Sequence, residues 1–146
     1  MDQKTDILLV EDNTDDAGLT IKAFQKKNIF NKLVHVSNGE DALNYVFCEG
    51  DYNDRDSNDI PRLILLDLKM PKVDGVEVLK KIKSDQRTKN IPVVMLTSSI
   101  ENQDISLCYQ LGANSYIVKP VEYDGFVKAI ASLGSYWLLL NQHPQK

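Results

Sequence analysis

The chain has 146 residues, 42% of them apolar and 26% charged, and a formal net charge of −4. That length suits one core and is too short for two ordinary domains. Acids and bases are interspersed, leaving no basic field for a phosphate backbone, so direct nucleic-acid binding is excluded from the expected functions.

The opening MDQKTD runs into the short apolar stretch ILLV with neither a signal-peptide core nor a bilayer-spanning segment, so a cytoplasmic protein away from membranes is expected. Ile7 to Val10 reads as a first strand and is followed at once by Glu11 and Asp12. Asn13 or Asp12 can cap the next helix, with Asp15 and Asp16 in its first turn and Ala17, Ile21 and Phe24 as its apolar stripe. Leu33 to Val36 is a second strand, and Ala42, Leu43 and Val46 mark a second helix.

The stretch EGDYNDRDSNDIP, residues 49–61, is the one long irregular connection. Asp54, Asp56 and Asn58 have the spacing of the first ligands of a calcium loop. The glycine such a loop needs next is Asp59, however, and its closing glutamate falls at Leu65, so a solvated surface loop is expected instead.

Leu63 to Leu66 forms a third strand ending at Asp67, with Pro71 after it and Val76, Leu79 and Ile82 on a third helix. Pro92 opens a fourth strand, Val93 to Leu96, which ends at Thr97. Tyr116 to Val118 is a fifth, followed by Lys119 and Pro120, and Phe126, Ile130, Leu133 and Trp137 continue a helical stripe. Cys48 and Cys108 lie in segments that read as helices and are expected to be free thiols, while His35 and His143 share no metal-ligand motif. Five strand–helix alternations imply a parallel α/β sheet with helices on both faces. In such sheets the functional crevice lies beyond the carboxyl ends of the strands.

That rule brings Glu11, Asp12, Asp67, Thr97 and Lys119 into one crevice. Singly, each has an ordinary explanation: a helix start for Glu11 and Asp12, a turn for Lys119 and Pro120, a helix cap for Thr97. Together they point to chemistry. Three carboxylates repel one another unless a hard divalent cation joins them, and magnesium favours a few carboxylates with water and phosphate oxygens in the remaining positions. Lys119 and Thr97 suit the oxygens of a transferring phosphoryl group, and Asp67 fits the nucleophile that would accept it.

With these residues in order, the sequence resembles the receiver domain of two-component response regulators. The resemblance spans ILLVEDN at 7–13, LILLDLKMPKVDG at 63–75, VVMLTSS at 93–99 and GANSYIVKP at 112–120. It implies a doubly wound (βα)5 sheet of flavodoxin-like strand order 2-1-3-4-5, one receiver domain over 1–146 with its core at about 5–140, and no output domain. It implies Asp67 as phosphoacceptor and Mg2+ as cofactor, held by Asp12, Asp67, the backbone carbonyl of Lys69 and, through water, Glu11.

Thr97 and Lys119 would contact the phosphoryl oxygens, with Thr97 and Tyr116 as switch residues that repack the surface of the fourth helix, fifth strand and fifth helix. Gly75 and Pro71 match the turn after the phosphorylation site as backbone geometry. A sensor histidine kinase is the implied partner, and no turnover of an outside metabolite is implied, only the chain's own phosphorylation and dephosphorylation. The 49–61 loop and the ending SLGSYWLLLNQHP further resemble the stand-alone response regulators of bacterial phytochromes, especially cyanobacterial ones.

Five consecutive bulky residues, Tyr136 to Leu140, exceed what one amphipathic stripe can bury, so a homodimer through the fourth-helix to fifth-helix and C-terminal region is expected. Among alternatives, a haloacid-dehalogenase-type phosphatase needs an aspartate where Lys69 stands, and a flavin-binding domain would meet carboxylates after Val10 where it needs neutral donors. A receiver-like docking module is the remaining alternative.

Overall fold

The computed structural model describes residue 5, residues 7–27 and residues 32–119. The expected stripe from Phe126 to Trp137, the run from Tyr136 to Leu140, Pro120 and His143 lie outside those residues.

Along the described chain the elements are β1 (Ile7–Val10), α1 (Thr14–Lys27), β2 (Leu33–Val36), α2 (Gly39–Phe47), a 3-10 turn (Gly50–Tyr52), β3 (Leu63–Leu66), α3 (Gly75–Ser84), β4 (Val93–Thr97), α4 (Asn102–Gln110) and β5 (Ser115–Val118). All adjacent strands are parallel, in the order β2-β1-β3-β4-β5.

The apolar runs are continuous because both faces of the sheet are covered. Leu8, Val10, Ile64, Leu66, Val93 and Met95 pack into one core with Ala42, Tyr45, Val78, Leu79, Ile82 and Cys108 from α2, α3 and α4. The intervening Ile7, Leu9, Leu63, Leu65, Val94 and Leu96 pack into a second with Ala17 and Phe24 of α1. Successive strand residues therefore serve opposite cores, as the two-residue repeat of a pleated strand requires.

Local capping sets where the helices begin. Asn13 Oδ1 accepts the Asp16 amide at 3.0 Å, so Asn13 rather than Asp12 caps α1. Asn38 caps α2 and Asp74 caps α3 in the same way. Thr97 belongs to β4 and caps nothing, since α4 begins after Glu101. Cys48 is not helical as expected: it lies just past α2 at φ 56°, in the left-handed region. Both cysteines are free thiols.

The 49–61 connection is not merely solvated. Arg55 stands 3.7 Å over the Tyr45 ring, donates to the Tyr45 carbonyl and, at 2.7 Å, to the Asp59 carbonyl. Asp59 Oδ1 in turn accepts the Thr5 amide at 2.8 Å. The loop, the segment before the first strand and the second helix are thereby tied together, and Asp56, one of the residues at calcium-like spacing, serves the loop's own turn: its Oδ1 accepts the Asn58 amide at 2.9 Å.

Candidate functional site

The parallel register delivers the site. Val10 pairs with Leu66 and Thr97 with Val118, so Glu11 and Asp67 leave adjacent strands side by side and Lys119 follows directly beyond Thr97. Backbone bonds hold these exits: the Asp67 amide donates to the Val10 carbonyl at 3.0 Å, and the Lys119 amide to the Thr97 carbonyl at 2.7 Å.

Behind Asp67, α3 approaches so closely that a β-carbon on Gly75 would lie 2.2 Å from the Asp67 carbonyl oxygen. Glycine is required there by contact, which agrees with reading Gly75 as backbone geometry. Lys72, at φ 67°, makes the left-handed step of the intervening turn.

At the centre, Lys119 Nζ lies 2.6 Å from Glu11 Oε1, 2.8 Å from Asp16 Oδ2 and 3.4 Å from Asp67 Oδ2. Asp67 Oδ1 accepts the Leu68 amide at 2.7 Å. Glu11, Asp67 and Thr97 are buried, whereas Asp12 is exposed at the rim. Glu11, Asp12 and Asp67 each offer a carboxylate oxygen within 4.8 Å of the others. Three hard oxygen donors, one open to water, form a donor set that suits a divalent cation of the magnesium or manganese type.

Burial and the neighbouring Asp67 carboxylate push Glu11 up to about 8, against the pull of Lys119. Burial alone would depress Lys119, but its hydrogen bonds to Asp16 and Glu11 outweigh that and hold it above the ordinary lysine range.

A crevice of about 290 Å³ opens beside Asp67, lined by Lys69, Thr97, Ser98, Ser99, Ile100 and Glu101. Tyr116 closes the far side of this loop: its hydroxyl donates to the Ser99 carbonyl at 2.9 Å, while its amide donates to the Tyr109 hydroxyl at 3.1 Å. The Ser99 hydroxyl donates to Asp104 of α4 at 2.6 Å. His35 stands outside the cluster, with its imidazole on the Glu11 carbonyl at 2.8 Å.

Every site residue expected from the sequence thus lies in or around one crevice. One residue was missed there: Asp16, read only as a first-turn acid. No spacing in the sequence singled Asp16 out, since Asp12 precedes the helix that carries it.

Residues 7–131 match the response regulator receiver domain family. The chain is 37% identical over 138 residues to the probable methanogenesis regulatory protein FilR2 of Methanothrix harundinacea, covering 94% of this chain and 86% of that protein. It is 36% identical over 132 residues to the response regulator Rcp1 of Synechocystis sp., covering 90% of this chain and 88% of Rcp1. The crystal structure of the Mn2+-bound form of Rcp1 superposes with a TM-score of 0.88 at 35% identity, over 98% of this chain and 100% of that one.

The structure of the phosphorylated cyanobacterial phytochrome response regulator RcpA gives a TM-score of 0.89 at 38% identity, over 98% and 100% of the two chains. The five-stranded 2-1-3-4-5 sheet, the strand-end carboxylates and a family match over nearly the whole chain agree. The chain belongs to the response regulator receiver domain family.

Proposed function

We propose that the protein is a phosphorylation-controlled signalling module that takes a phosphoryl group from a sensor histidine kinase onto Asp67 in a Mg2+-dependent reaction. The observation that carries this reading is the convergence of Lys119, at 3.4 Å from Asp67 Oδ2, with Glu11 and Asp12 around the same carboxylate. Asp12 and Asp67, the Lys69 carbonyl and, through water, Glu11 would hold the cation, which when bound neutralises the carboxylates and the phosphoryl oxygens.

Asp67 attacks phosphorus; the P–N bond to the donor histidine breaks, its electron pair stays on the imidazole, and an acyl phosphate results. Lys119 and Thr97 would donate to the phosphoryl oxygens, so the protein's work is positioning and charge neutralisation. Hydrolysis of the acyl phosphate by water returns the site to rest.

Thr97 and Tyr116 are the switch residues of this reading, supported by the Tyr116 hydroxyl bond to the Ser99 carbonyl two residues beyond Thr97. The output is a changed surface of α4, β5 and the helix expected from the sequence to follow them. Leu107 and Tyr109 of α4, Val118 of β5 and Ile100 before α4 are exposed there and suit a homodimer or partner. Likeness to the phytochrome response regulator RcpA supports a place in phytochrome-type light signalling, and the single receiver domain is proposed to act in the cytoplasm. Among the described residues no helix is long and apolar enough to cross a membrane.

Intact mass after incubation with acetyl phosphate tests the reading. The wild type should gain one phosphoryl group only with magnesium present, and Asp67→Asn none. No gain by a folded wild type, or an equal gain by the variant, would overturn it.

A further inference from the structure

Lys119 carries three N–H bonds and faces three carboxylates, Glu11, Asp16 and Asp67, at 2.6, 2.8 and 3.4 Å. All its donor capacity is therefore committed in the resting site. A phosphoryl group on Asp67 brings further negative charge and three acceptor oxygens; one oxygen can inherit the 3.4 Å contact of Asp67, but Lys119 can serve a second only by releasing another partner. Glu11 is a poor candidate, because its side chain is 1% exposed and its carboxyl oxygen would be left buried with neither Lys119 nor water as partner. Asp16 is 33% exposed, on the first turn of α1, and can turn into solvent.

We infer that Asp16 is a positioning residue that holds Lys119 over the resting site and competes for it with the incoming phosphoryl group. This rests on Asp67 being the phosphoacceptor. No bond is made or broken in the exchange: one ammonium hydrogen bond passes from the Asp16 carboxylate to a phosphoryl oxygen, and Asp16 takes up water. Asp16 thereby sets how strongly the site holds an anion on Asp67, without touching the reacting atoms.

The test is the dissociation constant of beryllofluoride, a phosphoryl mimic, on the full chain at saturating magnesium. Wild type, Asp16→Asn, Asp16→Ala and Asp15→Asn are compared. The last removes the same charge from the neighbouring, exposed position.

Asp16→Asn, and Asp16→Ala should the first fold poorly, should bind about two- to fivefold tighter, the range set by loss of one partly exposed ion pair. Asp15→Asn should bind like wild type. An equal gain in the Asp15 and Asp16 variants would reduce the effect to net charge and overturn the inference, and so would unchanged or weaker binding on loss of Asp16. If wild type neither binds beryllofluoride nor gains mass from acetyl phosphate, the phosphoacceptor reading fails first and takes this one with it.

Discussion

Glu11 is 1% exposed, with its carboxylate against Lys119 and beside Asp67, and burial with that second carboxylate raises its pKa to about 8. Between the ordinary value of 4.5 and about 8, the folded metal-free chain holds a proton there that the unfolded chain has released. The stability so conferred is complete below the lower value and is lost as pH rises through the higher one. With a chelator present, the melting temperature should therefore fall from about pH 5 to about pH 9, and Glu11→Gln should flatten that slope. Parallel slopes for the two proteins would contradict it.

At the same scale, Glu11 with Asp12 after it, Asp67, Thr97 and Lys119 were legible because they follow apolar runs, and a parallel sheet sends all such residues to the carboxyl ends of its strands. Asp16 was not. Its contact depends on the rotation of α1 about its axis, which the Ala17, Ile21 and Phe24 stripe sets only coarsely.

Among the elements, α3 is positioned by contact with the chain just beyond β3, at Asp67, the proposed phosphoacceptor, and Leu68. A β-carbon at Gly75 would meet the Asp67 carbonyl oxygen at 2.2 Å, the Leu68 α-carbon at 2.8 Å and the Leu68 carbonyl oxygen at 2.9 Å. Gly75→Ala must push the helix from the strand end, and should lower stability by about 1–3 kcal/mol and slow phosphorylation of Asp67. Gly18, in α1, has nothing within 4 Å of where its β-carbon would stand, so Gly18→Ala should instead add about 0.5–1 kcal/mol. Denaturant unfolding of the two variants checks both signs, and a stable Gly75→Ala protein would show that α3 is not seated by this contact.

The strands and helices were readable from periodicity, and the 49–61 connection is the surface loop expected, but its anchoring was not readable. Its order comes from Arg55 on Tyr45 and from Asp59 on Thr5, 54 residues away, and no local pattern announces a contact at that separation. Cys48 was taken as helical for a related reason: apolar spacing continues through it while the backbone has already turned left-handed.

For the whole molecule, local pattern gave a parallel sheet covered on both faces but not which strands adjoin; the 2-1-3-4-5 order followed from resemblance. That order places β1 and β3 side by side and so sets Glu11 next to Asp67. The fold thus brings two buried carboxylates, Glu11 and Asp67, together with Lys119 and the exposed Asp12 at the carboxyl ends of the strands, the arrangement on which the proposed acyl phosphate rests.

The most direct measurement is chemical trapping of that acyl phosphate. Protein treated with acetyl phosphate and magnesium is reduced with borohydride, which converts a phosphorylated aspartate to homoserine, and its peptides are then mapped by mass. Homoserine at position 67 alone, and none when magnesium is withheld, is the expected result. Reduction at another carboxylate, or at none in folded protein, would contradict the account.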